Sequence, residues 1–291
     1  MKITKAVIPA AGLGTRMLPI SKAVPKEMLP IVDKPAISYL VDEAVASGIT
    51  DILIITAAGK ECIEDYFDYS PSYEAVLEKK GRTDELEAMR KIANGANIHY
   101  IRQKRALGLG HAVLAAKAFV GEDDFAVLYG DDIIISDKKP VTAQLLDIYN
   151  ETGLGVAGVA HVDWEHVKKY CSLKAEPTGE RTYHVTDMIE KPQTREQAFT
   201  NLSILGRVIL PPEIFGILER TQPGAGGEIQ LTDAMCTLAR ERGMSAYEFD
   251  GTRYDMGAKL GFLTANVREG VRHPELGKEF TEFLKEFVKG L

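Results

Sequence analysis

Residues 9–30 read PAAGLGTRMLPISKAVPKEMLP and directly follow the apolar run Ala6-Val7-Ile8. A run of small residues, Ala10, Ala11, Gly12 and Gly14 with Thr15 behind them, lets backbone N–H groups approach a phosphate or a base closely. Arg16 adds a planar, permanently charged fork for phosphate oxygens, and Lys26 adds a compact point charge. One strand-to-loop element thus carries what a nucleoside triphosphate needs. Gly130-Asp131-Asp132 follows a second apolar run, 125–129, and Asp255 sits in Arg253-Tyr254-Asp255-Met256-Gly257. Carboxylates at the carboxyl ends of parallel strands lie where α/β folds bind ligands, and a hard cation such as Mg²⁺ takes one or two of them plus substrate phosphates. Taken alone, Gly-Asp-Asp also fits a turn with no chemistry.

Familiar phosphate motifs do not fit the first loop. Met17 stands where the dinucleotide fingerprint wants a third small residue, and no Gly-Lys-Ser/Thr closes a longer loop. Gln103 precedes Leu107-Gly108-Leu109-Gly110-His111, a Gly-rich turn opening a helix that suits close approach by a base or ribose. His111 reads as a structural histidine at a helix start. Glu190-Lys191-Pro192 ends another strand and offers a carboxylate for sugar hydroxyls and an ammonium for a sugar phosphate, although the tripeptide alone is a common surface sequence.

The elements that position these residues alternate in type. Runs 51–56, 98–101, 125–129 and 154–160 read as strands, and 36–47, 108–120 and 140–151 carry helical periodicity. That alternation predicts a Rossmann-like, mixed but mainly parallel sheet sandwiched by helices, with a small β subregion in the second half. After about residue 160 shorter strands appear (182–189, 201–210), then helices at 211–220 and 229–242. Residues 71–95 read as surface helices and loop. The last stretch, 276–289, places Leu276, Phe280, Phe283, Leu284, Phe287 and Val288 on one stripe. Such a stripe packs a helix on its own domain or against another subunit.

At 291 residues, 45% hydrophobic and 26% charged, the chain has an ordinary globular composition. A net charge of −7 argues against a general nucleic-acid surface. No apolar run reaches membrane-span length, and the chain enters a strand almost at once, which predicts no signal peptide. Cys62, Cys171 and Cys236 are too few and too scattered for a disulfide framework or a zinc site. They read as reduced thiols buried as small hydrophobes, in a cytoplasmic protein.

The string Gly12-Leu-Gly-Thr-Arg16 … Lys22-Ala-Val-Pro-Lys26-Glu27-Met28-Leu-Pro30 resembles the sugar-nucleotidyltransferase signature, in the form of the bacterial UTP–glucose-1-phosphate uridylyltransferases. The resemblance runs from about residue 3 to 268. It includes Thr186-Asp187-Met188-Ile189-Glu190-Lys191-Pro192 and Gly224-Ala-Gly-Gly227-Glu228-Ile-Gln-Leu-Thr-Asp233. It implies a single nucleotidyltransferase domain, with about 1–160 mainly for the nucleotide, about 161–270 mainly for the sugar, and 271–291 as a C-terminal helix. The reaction it implies is uridylyl transfer from UTP to glucose 1-phosphate, with Arg16, Lys26, Asp131 and Lys191 catalytic. Asp131 and Asp255 would hold Mg²⁺. Ala10, Ala11, Gly12, Gly14, Thr15, Glu27, Gln103 and Gly108 would take the nucleotide. Asp132, Cys171, Glu190, Lys191, Asn201 and Glu228 would take the sugar phosphate. The resemblance also implies a homodimer or homotetramer.

Two positions depart from the pattern. Cys171 stands where the family has a glycine whose backbone touches the sugar, and Ala258 stands where an acidic residue is common. Two alternatives follow from the same residues. One is a thymidylyltransferase for the same sugar phosphate, although that branch usually carries Gln where this chain has Glu27. The other is a weakly active, UDP-glucose-binding regulatory homologue, which only Cys171 favours.

Overall fold

The computed structural model describes residues 2–291. The strands are β1 (Lys5–Pro9), β2 (Pro30–Ile31), β3 (Lys34–Pro35), β4 (Asp51–Thr56), β5 (Asn97–Arg102), β6 (Phe125–Leu128), β7 (Asp132–Ile135), β8 (Gly155–His161), β9 (Cys171–Pro177), β10 (Thr182–Glu190), β11 (Leu202–Leu210), β12 (Met244–Glu248) and β13 (Thr252–Asp255). The helices are α1 (Ala36–Ala46), α2 (Glu61–Phe67), α3 (Pro71–Lys79), α4 (Thr83–Asn94), α5 (Leu109–Leu114), α6 (Lys117–Val120), α7 (Val141–Thr152), α8 (Glu213–Arg220), α9 (Leu231–Arg242), α10 (Lys259–Arg272) and α11 (Gly277–Lys289).

One nine-stranded sheet runs in the order β5-β4-β1-β6-β11-β8-β12-β10-β9. β5, β4, β1 and β6 are mutually parallel, and β10 and β11 run against the rest. The mixed, mainly parallel sheet expected from the alternation is therefore present. Because strand side chains alternate between faces, Val7, Leu53 and Ile55 enter a core under α5, α8 and α9. Ala6, Ile8, Ile52 and Ile54 enter a second core under α1, α7 and α10. Near-continuous apolar strands are what burial on both faces demands.

A buried ion pair ties the central strand β11 to α1, α7 and the strand that carries Asp132. Arg207 on β11 donates from Nε to Glu43 Oε1 at 2.9 Å and from Nη2 to Oε2 at 2.6 Å. Its Nη1 donates to the Asp132 carbonyl at 2.8 Å. Glu43 Oε1 also accepts from Thr142 N–H and Oγ1, at 2.9 and 2.7 Å. Satisfying all of these groups is what makes a buried charge tolerable.

Three expectations need correction. The helix expected over 108–120 is broken: Ala115 and Ala116 bond to Ala112 and Val113 at i−3, the chain tightens, and a new turn starts at Lys117. Cys62 is exposed rather than buried, because it occupies the outer face of the first turn of α2. The C-terminal stripe packs only in part. Phe280 sits against Gly270 of α10, whereas Leu276, Phe283, Phe287 and Val288 remain exposed, together with Leu260 and Leu263 of α10. No helix among the described residues is long and apolar enough to cross a membrane.

Candidate active site

β1 ends at Pro9, and the loop that follows is pinned from below. Ala10 N–H donates to Ile55 O on β4 at 2.8 Å. Lys60, in the turn between β4 and α2, donates from Nζ to Ala10 O at 2.5 Å, to Gly12 O at 2.8 Å and to Glu27 Oε2 at 2.8 Å. Lys60 and Glu27 are both buried. Burial is the larger influence on each: it pushes the Glu27 carboxyl up and the Lys60 ammonium down, against their mutual attraction. The loop edges a cavity of about 480 Å³ lined by Ala11, Gly12, Gly14, Thr15, Lys26, Glu27, Gln103, Gly108, Asp131 and Glu228. Ala10 is buried behind the loop and does not line the cavity.

Across this cavity Gln103 follows β5. Its backbone N–H donates to Thr56 O at 2.8 Å. Its side-chain Nε2 donates to Gly108 O at 3.2 Å and lies 2.8 Å from His111 Nδ1 in the first turn of α5. Gly108 has φ +104°, and an added Cβ would lie 2.7 Å from Ile229 O. Only glycine fits there, on both conformational and steric grounds.

At the carboxyl end of β6, Lys26 Nζ lies 2.5 Å from Asp131 Oδ2. Arg16 reaches from the opposite side, with Nη2 3.8 Å from Asp131 Oδ2 and Nη1 3.4 Å from Asp255 Oδ2. Burial alone would lower Lys26, but Asp131 and Glu27 outweigh it and hold the ammonium above the ordinary lysine value. Burial alone would raise Asp131, but Lys26 and Arg16 pull its carboxyl below the ordinary aspartate value. β7 and β13 pair antiparallel and bring residue 132 opposite residue 255. Gly257 leaves a gap between them: a Cβ there would lie 2.6 Å from Asp131 Oδ2, 2.6 Å from Arg16 Nη2 and 3.1 Å from Asp255 Oδ1.

Two carboxylate oxygens converging on one small gap suit a hard divalent cation that completes its shell with phosphate oxygens and water. Among the described residues no cluster of three or more His, Cys, Asp or Glu is arranged to hold a metal by itself.

A second cavity, of about 670 Å³, adjoins the first and shares Thr15, Leu109, Tyr129, Asp131 and Glu228 with it. Arg16, Asp132, Lys168, Tyr170, Cys171, Glu190, Lys191, Thr232, Arg253 and Asp255 also line it. Asp132 is paired with Arg253, whose Nη1 donates to Tyr170 OH at 3.0 Å. Burial is the main reason the Asp132 carboxyl is pushed up to about 6; Arg253 opposes the shift, while Asp131 and Asp255 add to it. Glu190 Oε2 accepts from Thr232 Oγ1 at 2.8 Å. Lys191 has φ +47°, a region a non-glycine residue rarely occupies. Its N–H donates to Tyr170 O at 2.8 Å, and its Nζ lies 3.3 Å from Glu190 Oε1.

Cys171 is buried, and its Sγ accepts from Ile204 N–H at 3.2 Å. Asn201 is not brought to either cavity: its amide donates to Val162 O at 3.0 Å and its Oδ1 lies 2.9 Å from His161 Nδ1. Reasoning on the sequence missed Lys60, Tyr170 and Thr232. For Lys60 the available signal was a lysine ending Ala57-Ala58-Gly59-Lys60 directly after a buried strand.

The arrangement is a cleft at the carboxyl ends of parallel strands, divided into two chambers that meet at Asp131, with a charge pattern suited to phosphates. The chain belongs to the nucleotidyl transferase family, whose profile matches residues 5–270. Within that family it falls among the UTP–glucose-1-phosphate uridylyltransferases. It is 50% identical over 284 residues to the enzyme of that name from Bacillus subtilis (strain 168), covering 98% of this chain and 97% of the relative. A UTP-bound UDP-glucose pyrophosphorylase from Acinetobacter baumannii is similar in structure, with TM-score 0.90 and 40% identity over 98% of this chain and 99% of that one. A UDP-glucose pyrophosphorylase complexed with UDP-glucose gives TM-score 0.85 and 42% identity, over 92% of this chain and 98% of its own.

Proposed function

We propose that the chain transfers the uridylyl group of UTP to α-D-glucose 1-phosphate, giving UDP-glucose and pyrophosphate. The observation that carries this reading is the meeting of the two chambers at Asp131, with Lys26 on one side, Arg16 on the other and Asp255 across the gap. Structural relatives that hold UTP and UDP-glucose support it.

The sugar phosphate is the nucleophile. Its second pKa is about 6, so at neutral pH it is largely dianionic and needs no general base. One of its oxygens bonds to the α-phosphorus of UTP in line, the bond from that phosphorus to the bridging oxygen breaks, and pyrophosphate leaves with the electron pair. The protein's task is positioning two anions and neutralising their charge. Arg16 and Lys26 hold the triphosphate and the departing pyrophosphate. Lys191 holds the incoming phosphate, and its left-handed backbone presents it from the end of β10. Asp131 and Asp255 are the residues that would hold Mg²⁺, which when bound supplies further neutralisation of phosphate charge.

Ala11, Gly12, Gly14, Thr15, Glu27, Gln103 and Gly108 surround the nucleotide, with Ala10 fixed behind them by Lys60. Asp132, Glu190 and Glu228 face the sugar. Cys171 lines that chamber as a strand residue and leaves room for glucose. Asn201 supports the sugar side by joining β8 to β11.

In this reading residues 1–160 serve mainly the nucleotide, 161–270 mainly the sugar, and 271–291 form the C-terminal helix of one domain that works in the cytoplasm. The exposed apolar face of α10 and α11 supports a homodimer or homotetramer, which light scattering would test. The function itself is tested by pyrophosphate release with UTP or dTTP and a panel of sugar 1-phosphates. UTP with glucose 1-phosphate should be the best pair. A preference for dTTP would make the chain a thymidylyltransferase, and no turnover with any pair would leave a UDP-glucose-binding homologue.

A further inference from the structure

We propose that His111 is a positioning residue that sets the base specificity of the nucleotide chamber, by fixing which end of the Gln103 amide a base can meet. The proposal rests on the uridylyl reading above. Gly108 O can only accept a hydrogen bond, so the group facing it at 3.2 Å must be the NH₂ of Gln103. That carbonyl is held in direction because it also accepts from Ala112 N–H at 3.1 Å, in the first turn of α5. With the NH₂ fixed, the ring nitrogen 2.8 Å away must accept, so His111 carries its proton on Nε2 and offers the Nδ1 lone pair.

Both N–H donors of Gln103 are then engaged. Gln103 lines the chamber, and all it has left for a ligand is a carbonyl oxygen. An acceptor suits a pyrimidine whose N3 carries hydrogen, such as uracil or thymine. Set against N3 it opposes cytosine, whose N3 is itself an acceptor, so the oxygen and the base would meet lone pair to lone pair unless the base shifted to offer its 4-amino group. Sites that pair a hydrogen-bonding group with one base reject the mismatched base far more strongly than apolar contact does. Without His111 only one of the two N–H donors stays engaged, and the amide can turn to offer an N–H.

The test compares KM and kcat for UTP and CTP, with glucose 1-phosphate saturating, in the native protein and in His111→Leu and His111→Asn. We expect His111→Leu to raise the KM for UTP about tenfold, with kcat and the KM for glucose 1-phosphate changed less than about twofold. Its preference for UTP over CTP should fall about tenfold or more. His111→Asn, whose Oδ1 can accept in place of Nδ1, should recover most of that preference.

A His111→Leu protein that keeps the native UTP preference overturns the His111 assignment and leaves the uridylyl reading standing. A native protein with no preference for UTP over CTP overturns both. Should His111→Leu fail to fold, long-range ¹H–¹⁵N spectra of the native protein decide. A pyridine-type Nδ1 on His111 supports the proposal, and a protonated Nδ1 overturns it.

Discussion

Lys60 and Glu27 form a buried pair, 2.8 Å apart and separated by 33 residues, and the same ammonium holds two carbonyls of the loop that follows β1. Removing one partner of a buried pair leaves the other charged or forces it to neutralise. Lys60→Met should therefore cost about 3–5 kcal/mol of stability and raise the KM for UTP. Glu27→Leu combined with Lys60→Met should recover much of the stability without recovering the KM, since the loop carbonyls stay untethered. Urea unfolding and UTP saturation curves check this. A double variant as unstable as the single one would show that the pair's charge is not the issue.

Asp131→Asn and Asp255→Asn should each lower kcat by roughly 10² or more, because electrostatic stabilisation of a few kcal/mol is at stake. Asp131→Asn should also lower the melting temperature, since it strips Lys26 of its counter-charge. Asp255→Asn should leave stability nearly unchanged. Steady-state rates with and without EDTA are the measurement. Native rates in either variant, or full native activity in EDTA, would remove these carboxylates from the metal role.

Asp132 gives stability a pH dependence of defined sign. Its folded carboxyl titrates at about 6 against an ordinary 3.8. Between those values the unfolded chain has lost the proton while the folded one keeps it, so stability falls as pH rises through the window. The whole effect is about 3 kcal/mol. It is absent below pH 4 and complete above about pH 6 to 7. Asp132→Asn, which does not titrate, should gain on the native protein by up to that amount between pH 4 and pH 7. A stability difference that does not change with pH would contradict the shift.

Burial pushes the Cys171 thiol up to about 12, so it stays protonated and accepts a hydrogen bond from Ile204. Thiol reagents act on thiolates. Exposed Cys62 should therefore be labelled first under native conditions, and Cys171 only on unfolding. Cys171→Gly should preserve activity and cost about 1–2 kcal/mol, from the lost contact and added backbone freedom. Mass spectrometry of alkylated peptides reads the labelling order.

The sequence was most legible where one short segment carries both the element and the chemistry. The apolar run at 6–8 followed by Gly12, Gly14 and Arg16 declares strand, loop and phosphate site together. Periodicity located β4, β5, β6 and β8 within a residue or two, because burial on both faces leaves little freedom in residue type, whereas β9 and β12 were not expected. Lys60 escaped notice because its role depends on one loop passing beneath another, which no local pattern records. His111 looked structural, but its hydrogen-bond partner Gln103 lines the first cavity. The stripe on α11 was visible, whereas the side of it left without intramolecular cover depends on how α11 docks on α10.

Arg16 reaches Asp255 across 239 residues of sequence. A ribosome adding 5–20 residues each second needs roughly ten to fifty seconds to cover that interval. The parallel strands β5, β4, β1 and β6 are complete when residue 128 emerges, so the loop that follows β1 can take shape on a half-made chain. It does so with Asp131 at hand but without its second carboxylate. Assembly of the site is therefore vectorial. A chain cut short before residue 255 would hold the residues that line the first cavity and none of the convergence on Gly257, and incomplete products of synthesis would be silent rather than partly active.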